Sequence, residues 1–381
     1  MTVELRAEIF VSLAHEMACQ VMAIAERAKN LEVGDKWLNR ARSAMSPELR
    51  KALAGQDLGE HSHGPWYGLV QMTYAHRWVS VDDMVDGLGS MPESDLILEI
   101  AGLGALPGAR EQLDDLILRT AAGDKAAARE LAKRGQALGH HAAPNVTKWL
   151  PRLAPRVRES LIEVATLWRR DLFREEEDRL TAILERDARA KGELARRLGP
   201  ADLLEEATNG FVWSDQPGLD TIALLPTWIY RPWTVDGPIG STAVISYPVA
   251  DESLGGNGDA VTARAVKLAR VLSDESRVRA IQLLAVEPLS LMELAAKLDL
   301  NKSTIHHHLA ELRAAGLLRI PMGTKRYSLR PEALYRFGTL LGDLAKPPRV
   351  KQFEGGRPPR GFRPGGAGSG RTPLGRKRSH E

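Results

Sequence analysis

Apolar residues follow a helical spacing through most of the first 205 residues. One stripe runs through Leu5, Ile9, Leu13, Met17, Val21 and Ile24, and another through Leu161, Val164, Ala165, Trp168 and Leu172. Spacings of three and four residues place side chains on one face of an α-helix. Short breaks such as Ser46-Pro47 and Met91-Pro92 separate the predicted helices. The pattern therefore predicts a mainly helical N-terminal region.

The period changes between residues 211 and 249, from helical to extended. Thr221–Tyr230 and Ser241–Val249 are rich in β-branched and aromatic residues and are bounded by Gly, Pro and Asp, which predicts strands. Residues 251–260 are rich in Asp, Gly and Asn and are expected to form a linker. We therefore expect residues 1–250 to be a mainly helical domain with strands near 211–249, acting as a sensor or an oligomerisation region.

Helix start and stop signals are dense after residue 260. The predicted elements are Val261–Leu272, a helix from Ser273 or Asp274 to about Glu287, Ser290–Leu298, Lys302–Ala315, strands Leu317–Pro321 and Lys325–Leu329, and a helix from Pro331. Ser290 and Glu293 have the spacing of a capping box, Asn301 can cap the fourth helix, and Gly316 suits a Schellman ending. Two short helices joined by a tight turn and followed by a β-hairpin are typical of a winged helix-turn-helix over 261–346.

This segment resembles the ArsR-type winged helix. The resemblance rests on four runs in order, Leu272–Ile281, Leu294–Leu298, Lys302–Leu309 and Leu312–Leu317, within a segment of about 85 residues. It implies a transcriptional regulator that binds a pseudo-palindromic operator as a homodimer, paired through its first and last helices, here Val261–Leu272 and Pro331–Leu344. Arg231-Pro-Trp and Tyr247–Glu252 also resemble longer regulators of this family with an uncharacterised N-terminal region.

Polar side chains collect at the N-terminal end of the fourth helix and on the hairpin. A helix N-terminus offers free N–H groups and a positive dipole to the major groove. Hydroxyls and imidazoles can read base edges, and cations can meet phosphates. The predicted DNA-binding residues are Asn301, Lys302, Ser303, Thr304, His306, His307, Arg313, Lys325 and Arg326. A solvated helix face is the competing interpretation. His308 lies nearer the apolar stripe and is predicted to pack.

Charge is distributed unevenly along the chain. Residues 1–260 hold 29 Lys and Arg against 39 Asp and Glu, whereas residues 261–345 hold 13 against 8 and residues 346–381 hold 10 against 2. A basic C-terminal third fits a polyanionic partner, double-stranded DNA. Residues 347–381 contain 6 Pro and 8 Gly and few apolar residues, which predicts a disordered basic tail.

Metal sites and catalytic groups are not expected. The resemblance implies metal sensing through cysteines in the third helix or Asp and His in the last helix. Here the third helix reads Leu291-Met-Glu-Leu294, and the last helix has no histidine. His61-x-His63 and His140-His141 lack evident companion ligands, and consecutive histidines at 306–308 point in different directions. No nucleophile elbow or phosphate-binding glycine loop is present, so neither a cofactor nor enzymatic activity is predicted.

An alternative makes the N-terminal domain an enzyme or a ligand-binding domain that carries a DNA-binding module. Trp213, Trp228 and Trp233 lie in the strand region and could line an effector pocket or form the core. A small-molecule effector therefore stays open as a partner.

A cytoplasmic location is expected, without a membrane partner. Cys19 is the single cysteine, which excludes an internal disulfide and suits a reducing compartment. The first thirty residues lack an apolar signal core, and no uncharged run is long enough to span a bilayer. The predicted fold class is mainly α (α+β), a helical N-terminal domain with a small β element followed by the C-terminal winged helix-turn-helix.

Overall fold

The computed structural model describes residues 4–56, 64–103, 110–138, 143–214, 218–255 and 260–344. All of them belong to one compact unit. The predicted tail, 347–381, and the histidine pairs at 61 and 63 and at 140 and 141 lie outside the described residues.

Helices make up most of the N-terminal region. They are α1 (Leu13–Ala25), α2 (Gly34–Ala44), α3 (Pro47–Gly55), α4 (Pro65–Ala75), α5 (Val81–Ser90), α6 (Glu93–Ala101), α7 (Arg110–Ala121), α8 (Lys125–Ala137), α9 (Ala143–Leu153), α10 (Val157–Trp168), α11 (Glu177–Ala195) and α12 (Pro200–Thr208). A π-helical turn, Arg169–Phe173, and a 3-10 turn, Arg174–Glu176, join α10 to α11. Serine caps open several helices, as at Ser80, which forms a capping box with Asp83.

A four-stranded sheet lies inside this region. Its strands are β1 (Arg6–Ile9), β3 (Thr221–Thr227), β4 (Val235–Ile239) and β5 (Thr242–Pro248), in the order β1-β3-β5-β4. β1 and β5 both run parallel to β3, and β4 is antiparallel to β5. Ile222 and Leu224 of β3 pack on Leu203 and Leu204 of α12, whereas Ala223 and Leu225 face Tyr74 of α4. Helices therefore cover both faces of the central strands, which explains their continuous apolar sequence.

β1 corrects the helical prediction for the start of the chain. Leu5, Ile9 and Leu13 have helical spacing, but Leu5, Ala7 and Ile9 also alternate with charged residues at 6 and 8. In the structure these three side chains pack against the sheet core, and Arg6–Ile9 pairs in parallel with Thr221–Leu224. Strand pairing 215 residues away decides between two periods that the local sequence allows.

The C-terminal elements follow the predicted order. They are α13 (Ala260–Leu272), α14 (Glu275–Val286), β6 (Leu289–Ser290), α15 (Leu291–Leu298), α16 (Lys302–Ala314), β7 (Leu318–Pro321), β8 (Arg326–Leu329) and α17 (Pro331–Leu344). They enclose a separate apolar core that includes Leu284, Leu294, Ile305 and Leu312. A winged helix after a mainly helical region with small sheets confirms the predicted fold class.

A short strand of the N-terminal region completes the winged-helix sheet. β2 (Phe211–Val212) runs parallel to β7, and the strand order is β2-β7-β8-β6. Gly210, at φ 112°, precedes β2, and a Cβ there would lie 1.9 Å from the carbonyl oxygen of Leu318. Only glycine allows the two backbones to approach so closely at that φ.

The predicted linker has local structure where it is described. Asp251–Leu254 form a 3-10 turn, and Ser253 Oγ and the Ala250 N–H donate to Asp187 Oδ1 of α11 at 2.9 and 2.8 Å. These bonds tie the start of the segment 251–260 to the N-terminal domain. Residues 256–259 are outside the described ranges.

Candidate nucleic-acid interface

The turn between α15 and α16 is fixed by side-chain caps. Ser290 and Glu293 form the predicted capping box at the start of α15, and Asp299 ends that helix in the left-handed region at φ 53°. Asn301 caps α16, since its Oδ1 accepts from the Thr304 N–H at 2.8 Å. These local signals orient α16 as the second helix of a helix-turn-helix.

The first turn of α16 is polar and solvent-facing. The hydroxyls of Ser303 and Thr304 donate to Asn301 Oδ1 at 2.7 and 2.9 Å. Lys302, Ser303 and His307 are exposed, and Thr304 is half-buried. With their hydrogens given to Asn301, the two hydroxyls keep lone pairs that could accept from a base edge or a backbone group.

The opposite face of α16 belongs to the core. Ile305, Leu309 and Leu312 are buried in it, and His308 is 8% exposed. Burial lowers the pKa of His308, although the Asp274 carboxylate opposes this. The prediction that His308 packs is confirmed. At the end of α16 the Leu317 N–H donates to the Leu312 carbonyl at 3.0 Å, with Gly316 at φ 70°, as expected of a Schellman ending.

The wing presents two cations with different surroundings. Lys325 and Arg326 are both exposed; Lys325 immediately precedes β8 and Arg326 is its first residue. Arg326 Nη2 donates to the Pro288 carbonyl at 2.6 Å, and its Nη1 lies 3.2 Å from a carboxylate oxygen of Glu293. Arg326 therefore fixes the wing to the start of α15, and Lys325 is the cation that extends from the hairpin.

Arg313 is placed differently from the sequence prediction. The sequence predicts that Arg313 contacts DNA, but only 2% of it is exposed. Its Nε donates to the carbonyl oxygen of Pro232 at 3.0 Å, its Nη2 donates to Thr234 Oγ1 at 3.0 Å, and its guanidinium lies 6.0 Å from the centre of the Trp233 ring. Burial lowers the pKa of Arg313 to about 10, so it remains charged at neutral pH. In this structure Arg313 contacts the N-terminal domain, and its DNA contact stays a prediction.

His306 also meets the N-terminal domain. Its Nδ1 lies 2.9 Å from Asn30 Nδ2, and its ring centre is 5.4 Å from that of Trp233. The Trp233 indole N–H donates to the Asn30 carbonyl at 3.2 Å, which joins the two partners. His306 remains exposed overall, so it lies at the edge of this contact.

One face of α16 changes its surroundings along its length. Lys302, His306, Ala310 and Arg313 succeed one another at spacings of three and four residues and so share a face. Lys302 and His306 are exposed, whereas Ala310 and Arg313 are 3% and 2% exposed. The N-terminal half of the face is open to solvent, and the C-terminal half is covered by protein.

A cavity of about 630 Å³ adjoins the covered half. It lies between α16 and the segment around α2, and its lining includes Arg27, Asn30, Arg42, His307 and Ala310. The N-terminal domain therefore flanks α16 beyond the contacts of Arg313 and His306.

Ion pairs join the remainder of the two domains. Glu205 of α12 accepts from Arg319 at 2.8 Å and from Arg330 at 3.0 Å. Glu206 pairs with Arg336 of α17 at 3.1 Å and also with Arg330. Arg330 is buried. The acidic N-terminal region and the basic winged helix thus compensate each other's charge at their contact.

Metal-binding and membrane features can be judged for the described part of the chain. Within it, no group of three or more His, Cys, Asp or Glu side chains could hold a metal ion. Over the same ranges no helix has the length and apolar character to cross a bilayer.

The capped helices α15 and α16, the turn between them and the hairpin of β7 and β8 together form a winged helix-turn-helix, a fold of the DNA-binding class. Residues 274–319 match the family model described as bacterial regulatory protein, arsR family. Residues 274–319 therefore form an ArsR-family regulator domain, a type of domain that indicates DNA-binding transcription regulation. No curated protein and no solved structure matches the chain.

No sequence pattern marks the residues that cover α16. Asn30 lies in a turn between α1 and α2 without a motif, and the sequence suggests Trp233 only as part of an effector pocket or of the core. Glu205 and Glu206 of α12 belong to no recognisable sequence motif. The one available signal is the charge asymmetry between the two regions, which favours their association but identifies no residue.

Proposed function

We propose that this protein is a sequence-specific transcriptional repressor that binds a pseudo-palindromic DNA operator as a homodimer. The observation that carries the proposal is the exposed, capped N-terminal end of α16 in an ArsR-family domain, with Lys302, Ser303 and His307 facing solvent. Helices of this kind place their N-terminal residues on base edges in the major groove. A location in the cytoplasm goes with this function.

Dimerisation is proposed through α13 and α17. Val266 of α13 is 45% exposed, and Tyr335 and Leu341 of α17 are 79% and 47% exposed. The two helices pack against each other, so these side chains can form one apolar surface. Pairing with a second copy would remove this surface from water.

The N-terminal region is proposed to control access to α16. A major groove about 12 Å wide accepts a helix of about 10–12 Å diameter, which leaves no room for other protein beside it. Burial of Ala310 and Arg313 against the N-terminal domain supports a closed arrangement that must open before α16 is fully seated. DNA would bind the open arrangement more tightly than the closed one, and this difference in affinity is what couples the N-terminal domain to DNA binding.

The response is proposed to be independent of metals at the usual family positions. Leu291, Met292 and Leu294 replace the thiol ligands that the resemblance implies for α15, and α17 carries no histidine. The protein is also proposed not to be an enzyme. His15 and Cys19 approach within 3.6 Å, but both side chains are fully buried.

Operator selection from random double-stranded DNA tests the proposal. The expected result is an enriched inverted repeat, with half-sites spaced for two copies of α16 about one helical turn apart. Thr304→Ala should relax the preference at one position per half-site, because a lost base contact costs roughly 1–3 kcal/mol. Ser94→Ala, at an exposed position of α6, is the control. Absence of any enriched sequence would sink the proposed function, and an unchanged motif would remove Thr304 as a reader.

A reporter gene behind the selected operator separates repression from activation. Deleting the regulator should raise expression if it is a repressor. Lower expression after deletion would replace repression by activation and leave DNA recognition intact.

A further inference from the structure

A second cavity lies between the N-terminal domain and the winged helix. Its volume is about 170 Å³, and it is bordered by α11, α12, the residues after β5, α13, the end of α16, and α17. Six cationic side chains line it, namely Lys191, Arg231, Arg264, Lys267, Arg330 and Arg336. Four acidic side chains also line it, so the lining has an excess of positive charge.

The acidic side chains are shared among the cations. Glu206 pairs with both Arg330 and Arg336. Asp251 and Glu32 each pair with both Arg231 and Lys267, so these two cations are matched by two carboxylates. Arg264 lies 3.7 Å from Glu252. The excess of positive charge in the lining therefore comes from Lys191 and from the two arginines that share Glu206.

Lys191 is the clearest uncompensated cation. Among the described residues, no ion-pair or hydrogen-bond partner reaches its ammonium group. Lys191 and the two arginines nonetheless hold the pKa of Glu206 below its usual range, against the effect of burial. The lining thus has a positive potential and a donor group without an acceptor.

Two of the cations are held deep in the contact. The side chains of Arg231 and Arg330 are 6% and 4% exposed. Buried charges are costly unless they are paired and fully hydrogen-bonded. Arg231 donates to Glu32, Asp251 and the Val249 carbonyl, and Arg330 donates to Glu205 and Glu206. Their positions are therefore fixed, and they add positive potential to the cavity while Lys191, Arg264 and Arg336 remain the cations nearer solvent.

An apolar extension adjoins the cationic cavity. A smaller cavity of about 80 Å³ shares Arg264, Arg330 and Arg336 with it and adds Phe337 and Leu340 of α17. Both cavities are below the roughly 300–1,000 Å³ typical of sites for drug-sized ligands. The combined space fits a small molecule with one anionic end and one apolar end.

We propose that these adjoining cavities bind a small organic anion, a carboxylate or a phosphate monoester, whose presence holds the winged helix against the N-terminal domain. Lys191, Arg264 and Arg336 would contact the anionic group, and Phe337 and Leu340 the apolar part. The regulatory half of this proposal rests on the proposed function. Both domains supply residues to the lining, so the complete site exists only in the closed arrangement.

The effect of the ligand on the ratio of closed to open molecules can be calculated from its concentration and Kd. A ligand that binds only the closed arrangement raises the ratio of closed to open molecules by a factor of one plus its concentration divided by its Kd. At a concentration of about one hundred Kd, the ratio changes by about a hundredfold. When the closed arrangement already dominates, affinity for the operator falls by up to the same factor.

Binding is tested by calorimetric titration of the full chain with benzoate, phenyl phosphate and the neutral benzamide. We expect one of the two anions to bind at millimolar concentration or below, and benzamide not to bind. Benzoate alone would indicate a carboxylate ligand and phenyl phosphate alone a phosphate ester. Lys191→Gln should weaken binding by about tenfold, and Lys133→Gln, an exposed lysine of α8, is the control. Equal affinity for benzamide, no anion binding, or no effect of Lys191→Gln would overturn the site.

Regulation is tested by fluorescence anisotropy with the selected operator. The binding anion should weaken the wild-type complex with DNA and have a smaller effect on the Lys191→Gln complex. An anion that binds without changing DNA affinity would overturn the link to the closed arrangement. Failure to bind any DNA without the anion would instead contradict the proposed function, whereas the titration tests the site by itself.

Discussion

Arg313 Nε of α16 donates to the main-chain carbonyl oxygen of Pro232 at 3.0 Å, across the contact between the winged helix and the N-terminal domain. The same guanidinium donates to Thr234 Oγ1 with Nη2, while Nη1 finds no hydrogen-bond partner among the described residues. A cation on the DNA-facing helix is thus held by a segment of another domain. Substituting a residue of the N-terminal domain can therefore weaken this contact without altering any residue predicted to touch DNA.

Replacing Thr234 by valine should increase affinity for DNA. Thr234→Val removes the acceptor of Arg313 at nearly constant side-chain size. A hydrogen bond to a charged group is worth about 1.5–3 kcal/mol, so the ratio of closed to open molecules should fall roughly 10- to 150-fold. Operator affinity should rise by up to that factor. Fluorescence anisotropy measures it. Thr147→Val in α9 is the matched control, and an unchanged or weaker complex would contradict control by the N-terminal domain.

Arg313→Leu separates the two roles considered for that residue. If Arg313 closes the contact, its loss should strengthen DNA binding in the same assay. If Arg313 instead contacts DNA after opening, the loss of a charged contact should weaken binding and lower its dependence on salt. The two roles therefore predict changes of opposite sign.

Lys325 is predicted to contact a DNA phosphate. Lys325→Gln should weaken binding to operator and to unrelated DNA alike, and reduce the slope of log affinity against log salt by about 1. Arg326 is less suitable as a test because it also bonds Pro288 and Glu293. Titrations at several salt concentrations give the slope, with Lys133→Gln for comparison. An unaltered slope would exclude the phosphate contact.

Tyr335 is predicted to lie in the dimer interface. Tyr335→Glu places a charge in the proposed apolar surface and should shift the protein to monomers, because an unpaired buried charge is strongly unfavourable. Sedimentation velocity measures the oligomeric state. Val286→Glu changes a more exposed residue, 84% exposed, outside α13 and α17, and should have no effect. Equal dimerisation of both variants would place the interface elsewhere.

Glu16 is predicted to make stability depend on pH. Burial, partly offset by bonds from Thr227 and Gln20, raises the pKa of Glu16 to about 7. Because the folded state holds this proton more tightly than the unfolded state, the stabilising contribution is complete below about pH 4.5 and is lost as pH rises through about 7.

Glu16→Gln isolates that contribution. Its free energy of unfolding relative to wild type should rise with pH, by at most about 3 kcal/mol between about pH 5 and pH 8. Urea unfolding at both pH values measures the difference. Ser90→Ala, at an exposed site, supplies the pH-independent control. A difference that stays constant with pH would show that Glu16 keeps an ordinary pKa.

Local signals allowed the winged helix to be predicted almost residue by residue. Ser290 with Glu293, Asn301 and Gly316 each determine a helix end through bonds within six residues, so the sequence contains all the partners. β1 could not be predicted in this way, because its four residues fit two periods and are decided by β3. The partners of Arg313 were equally out of reach, since Pro232 and Thr234 lie about eighty residues away and no pattern links them.

β2 has a consequence for how the protein can be divided. The wing strand β7 takes its outer neighbour from residues 211–212, so a fragment beginning at residue 261 would leave that backbone edge unpaired. We therefore expect the winged helix not to fold independently of the N-terminal domain. The full chain should melt in a single cooperative transition. The excised fragment should self-associate through the unpaired edge of β7. In this protein the domain boundary that the sequence suggests is crossed by the parallel pairing of β2 with β7.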